Sequence, residues 1–114
     1  MQLVDKKITV DELKKMSEKM DGRLVKAVVD VEKDCMVVDA EMHADIESML
    51  LENDSSQEYL WGINLYPDAY PKDEWIEFDS MINIRPSWGN RSRSVDDPQI
   101  REKIRKIVGT LVSV

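Results

Sequence analysis

Two groups of residues in this chain could do chemistry. The first lies in the stretch "INIRPSWGNRSRS", Ile82 to Ser94. There Arg85, Asn90, Arg91, Ser92 and Arg93 bring guanidinium, amide and hydroxyl donors together in one short segment. An arginine fork matches the oxygens of a carboxylate or phosphate two at a time. Pro86 and Gly89 shape the loop, and the helix start that follows adds free N–H groups of the right sign for an anion, although Asp96 and Asp97 offset them. Three uses compete: a latch onto an acidic face of the same fold, a seat for an anion or phosphorylated ligand, and a nucleic-acid contact. The latch is the plainest. No glycine-rich phosphate cradle is present, and Trp88 alone is a weak stacking platform, so nucleic acid stands last.

The second group is His43, Asp45, Glu47, Glu77 and Asp79. In extended chain, alternate positions share a face, so these residues would stand together on one side of a sheet. Carboxylates crowded to about 5 Å across strands repel unless a cation, a raised pKa or a basic surface compensates. Oxygen ligands with one imidazole would suit Mg²⁺, Mn²⁺ or Zn²⁺. The spacing matches neither HExxH nor an EF-hand, and a solvated polar face is the ordinary use of such residues. No other cofactor is expected.

The chain as a whole is acidic, with net charge −7 over 114 residues. The charge is divided. Arg85 to Lys106 holds seven basic and three acidic residues, net +4, which leaves −11 on residues 1–84. An acidic chain is a poor general binder of nucleic acid or membrane surfaces, and the division predicts two electrostatic faces. No apolar run nears the roughly 20 residues that span a bilayer, and the start "MQLVDKKITVDEL" has no signal-peptide pattern. Cys35, the single cysteine, excludes an internal disulfide and reads as a packed thiol among Met36, Val37 and Val38. A cytoplasmic protein of one domain, 1-114, is the expectation.

The elements that must position these residues begin and end with helices. Thr9 with Glu12 forms a capping box ahead of Leu13, Met16 and Met20, and Asp21-Gly22 ends that helix. Asp97-Pro98 starts a second helix whose Ile100, Ile104, Ile107, Val108 and Leu111 make an apolar stripe. Between them the period is two. Val25, Ala27, Val29 and Val31 are apolar on odd positions, and after Lys33-Asp34 the series Met36, Val38, Ala40, Met42, Ala44, Ile46 is apolar on even ones. A tight hairpin produces that switch. Tyr59, Trp61, Ile63 and Leu65 follow, then Ile76, Phe78, Ser80, Ile82 and Ile84.

Residues 41-53 are ambiguous. Met42, Ile46, Met49 and Leu50 also fit a helix, and the composition suits one. The continuous parity favours one long bent strand paired with Glu58–Tyr66. In that register Asp45, Asn64 and Glu77 form a row, with Glu47, Gly62 and Asp79 in the next. The apolar face would hold Val25, Ala27, Val29, Met36, Val38, Ala40, Ile46, Trp61, Ile63, Phe78 and Ile82. The fold expected is α+β in two layers, an antiparallel meander of about four strands with the N-terminal and C-terminal helices packed on one face. Arg23–Val31 would be an edge strand open to a second copy of the chain.

The stretches "KAVVDVEKDCMVVDAEMHAD", "LWGINLYP", "EWIEFDSMINIRP" and "GNRSR" resemble a small family of archaeal and bacterial proteins described only as a domain of unknown function. The resemblance spans about Arg23 to Val108 and implies a conserved hypothetical protein, with no activity or cofactor to carry over. Two functions therefore stand on the residues alone. One is a binding domain that recognises an anionic small molecule or protein partner through Arg85, Arg91 and Arg93. The other is a hydrolase of a phosphorylated compound, its cation held by the His43 group.

Overall fold

The computed structural model describes residues 1–114. In chain order the elements are β1 (Gln2–Val4), β2 (Ile8–Thr9), α1 (Val10–Ser17), β3 (Val25–Asp30), β4 (Cys35–Val38), α2 (His43–Glu52), β5 (Leu60–Leu65), β6 (Ile76–Glu77), α3 (Pro98–Leu111) and β7 (Val112–Ser113). The fold is α+β. A five-stranded antiparallel sheet runs in the order β1-β4-β3-β5-β6, and β2 pairs with β7 in a small parallel ribbon.

Both terminal helices form where their caps place them. The Thr9 hydroxyl accepts from Glu12 N at 3.1 Å, and the Asp97 carboxylate accepts from Gln99 N at 2.8 Å. The first helix tightens to a 3₁₀ turn at Glu18–Met20, and Asp21 and Gly22 then take left-handed backbone. Leu13, Ile104 and Val108 are fully buried in the main core, against Val25, Ala27, Val29, Met36, Val38, Trp61, Ile63 and Leu65 of the sheet. This is the apolar face the parity predicts, covered by both terminal helices.

Three expectations need correction. First, residues 41-53 are mainly helix, not strand. The chain leaves β4 through Asp39 in left-handed backbone (φ 76°), and α2 lies on the second face of the sheet. Ile46 and Leu50 pack there on Val28, Val37 and Leu60, with Ala40 and Ile82 at the margin, so Ile46, Ala40 and Ile82 leave the predicted face. Second, because α2 crosses over, β5 pairs with β3, Ala27 opposite Ile63 and Val29 opposite Trp61. Strand β3 is therefore interior, bonded on both sides, and Arg23–Val31 offers no free edge. Third, the β3–β4 turn is longer than Lys33-Asp34. Asp30 pairs with Cys35, and its carboxylate accepts from Glu32 N and Lys33 N at 2.9 and 3.0 Å. That carboxylate stabilises a four-residue turn and slips the register by two, which keeps the faces.

The fourth expected strand survives only as β6, with Asn64 opposite Glu77 as predicted. Beyond it the edge of β5 is closed by side chains. Asn83 donates to Gly62 O at 3.0 Å and accepts from Gly62 N at 2.8 Å, as a neighbouring strand would. Arg85 Nη2 donates to Leu60 O. The approach requires glycine: a Cβ on Gly62 would lie 2.5 Å from Ser80 Cβ. No helix is long and apolar enough to cross a membrane.

Candidate functional site

The segment that closes β5 continues into the arginine loop, and the loop is largely a structural device. Arg85 is 6% exposed. Its Nε donates to Ile82 O at 3.0 Å, its Nη2 faces Glu47 Oε2 at 3.6 Å, and its guanidinium lies 4.8 Å over Trp61 and 5.8 Å from Trp88. Burial pushes this guanidinium below its ordinary range, while Glu47 pulls the other way. Asn90, also buried, donates to the carbonyls of Asn83 and Ser94 at 2.8 Å each. Its Oδ1 accepts from Asp96 N at 2.7 Å.

The loop already holds an anion, supplied by the chain. Asp96 accepts from the Ser92 hydroxyl at 2.6 Å and from Arg91 N at 3.1 Å. The Ser92 hydroxyl, then the Arg91 amide, hold the Asp96 carboxyl below the usual carboxylate range. Arg85, Asn90 and Ser92 thus have internal partners, and Arg91 is exposed on the surface.

Arg93 points elsewhere. Its Nε donates to Asp79 Oδ1 at 2.6 Å, and both residues line a cleft of about 160 Å³ between the first turn of α2 and the 79–82 segment. Lys26, His43, Asn64 and Ser80 complete its polar wall. Parity brings Lys26 here: on β3 it stands opposite Asn64, which stands opposite Glu77. The row that sequence reasoning assembled as Asp45, Asn64, Glu77 is in fact Lys26, Asn64, Glu77. A lysine replaces one of two carboxylates, which removes the repulsion between them. Asn64 donates to Glu77 Oε1 at 2.8 Å and to Asp79 O at 3.3 Å, and the Tyr66 hydroxyl donates to the same Glu77 oxygen at 3.0 Å.

His43 is the first residue of α2 and is 8% exposed. Its Nε2 lies 2.7 Å from Ile63 O and, in the neutral ring, carries the proton donated there. The basic lone pair then belongs to Nδ1. Burial lowers the His43 pKa, the Ile63 carbonyl pulls it back up in part, and the charge of Lys26 lowers it further. No side chain caps α2 at Met42; Asp45 N turns back to Met42 O at 3.2 Å, and His43 and Ala44, whose amides have no helical carbonyl ahead of them, line the cleft.

The five proposed metal ligands do not converge. His43 and Asp79 share the cleft, Glu77 is held by Asn64 and Tyr66, Glu47 faces Arg85, and Asp45 is exposed on α2. No group of three or more His, Cys, Asp or Glu side chains is placed to hold a metal ion. A larger hollow of about 680 Å³ runs along α3, but its charges alternate in sign, Asp34, Glu102, Lys103 and Lys106, and Lys103 sits 3.9 Å from Asp34. Nothing converges there on a single ligand group.

Sequence reasoning named Asn64, Asp79, His43 and Arg93 but missed Lys26. The available signal was a lone lysine inside the apolar run "LVKAVVD", on the parity opposite to the core valines. Over residues 2–111 the chain matches the model of a family described as protein of unknown function (DUF5674). No curated protein and no solved structure matches it.

Proposed function

The chain belongs to the DUF5674 family, which brings no assigned activity, and on the geometry of the cleft we propose that it is a small binding domain for an anionic group. One observation carries the reading: Lys26 and Arg93, from distant parts of the chain, meet in one cleft at the uncapped first turn of a helix. Free helix amides and two cations favour a negative group for the same electrostatic reason. The cavity is well below the several hundred Å³ of drug-sized sites, so it takes one acidic group rather than a whole nucleotide. Asp79 engages only the Nε of Arg93, competing with an anion for its charge, and leaves the two Nη groups to make a fork.

Thermal-shift titration with phosphate and with acetate tests this. Lys26→Ala and Arg93→Ala should each weaken the dissociation constant about tenfold or more, since each removes a charge-assisted partner. Arg91→Ala, outside the cleft, should leave the titration as it is. An anion response that survives loss of both Lys26 and Arg93 would contradict the proposal.

A further inference from the structure

The walls of the cleft that are not polar are unusual for a phosphate seat. Met42 and Met81 both line it, at 57% and 65% exposure, together with Ala44 and Ile82. These two methionines are among the most exposed apolar side chains of the protein, and both stand at one opening. Methionine is the side chain best able to mould itself to an irregular apolar guest. The formal charge of the polar wall is also small. Lys26 and Arg93 give +2, Asp79 returns −1, and His43, which donates its Nε2–H to Ile63 O, adds nothing in its neutral form. A net +1 balances a monoanion and leaves half of a dianion's charge uncompensated in a partly desolvated place.

Resting on the anion-binding reading, we infer that the ligand is a monocarboxylate with a short aliphatic tail, the carboxylate between Lys26 and Arg93 and the tail against Met42 and Met81. The tail gains by leaving water, in proportion to the apolar area it covers. A free acid and the C-terminal end of a peptide share this chemistry.

Isothermal titration of the whole chain with four probes separates the possibilities: acetate, hexanoate, inorganic phosphate, and an acetylated tripeptide ending in leucine. Hexanoate should bind about tenfold or more tighter than acetate, and tighter than phosphate. Met81→Gln, at an exposed position where folding is little at stake, should bring hexanoate down towards acetate. The tripeptide would exceed hexanoate if the source is a chain end, and fall below it if the source is a free acid; either order supports the inference. Equal affinities for acetate and hexanoate, or phosphate tightest of all, would overturn this inference and leave the anion site standing. No response to any probe would overturn the anion site itself.

Discussion

His43 joins the proposed anion site to the stability of the fold. Its folded pKa lies below the ordinary 6.5 because burial disfavours the imidazolium. The unfolded chain therefore takes up the proton first as pH falls. Stability is full above about 6.5 and declines as pH drops from there towards the folded value. Denaturant midpoints between pH 7.5 and 5 should show this decline, and His43→Asn should flatten its histidine component. Anion affinity should move the opposite way, tightening as pH falls, because a protonated His43 adds a third cation to the cleft. Asp79→Asn should also tighten anion binding, by freeing Arg93 Nε from its carboxylate partner. A weakening in that variant would mean Asp79 positions Arg93 rather than competing for it. These roles were half legible: His43, Asp79 and Arg93 stand out by residue type, but no local spacing says that residues 43, 79 and 93 meet.

Among the elements, α2 is where sequence and structure part. Period-two parity ran unbroken from Met36 to Ile46, yet the helix wins. The reason lies on other strands. Val28 and Val37 are apolar on the parity that should face water, and an antiparallel sheet buried on both faces needs cover on both. Ile46 and Leu50 supply it, at helical spacing. The off-parity valines were in the sequence, and only their partner was not local. The β5 edge follows a similar logic, since the side chain of Asn83 does the work of a strand. Asn83→Ala would leave the amide and carbonyl of Gly62 buried and unpaired, a cost of about 2–6 kcal/mol at roughly 1–3 per group before relaxation. Gly62→Ala forces a methyl to within 2.5 Å of Ser80 and should destabilise as severely. Chemical denaturation measures both, and a loss under about 0.5 kcal/mol in both would contradict the edge-closing role.

At the scale of the molecule, the charge division read from composition becomes three ion pairs between the basic segment and the acidic remainder. Arg93 meets Asp79 and Lys103 meets Asp34 near the surface, and Arg85 meets Glu47 inside. The exposed pairs contribute little to stability, about 0–1 kcal/mol each. The buried one is different. Arg85→Ala would leave Glu47 without its cation and Leu60 O without its donor, so a loss of about 3–5 kcal/mol is expected in a denaturation midpoint. Sequence reasoning treated the arginines as one cluster. Burial divides them: Arg85 into the fold, Arg91 to solvent, Arg93 to the cleft.

The most direct measurement is a two-dimensional amide NMR titration of the ¹⁵N-labelled chain with acetate at pH 7. Shift changes should concentrate at Lys26, His43, Ala44, Ser80 and Arg93, saturate together, and disappear in Arg93→Ala. Saturable changes confined to Arg91, Ser92 and the start of α3, with the α2 amides unmoved, would place the anion on the outer loop and contradict the cleft as the binding site.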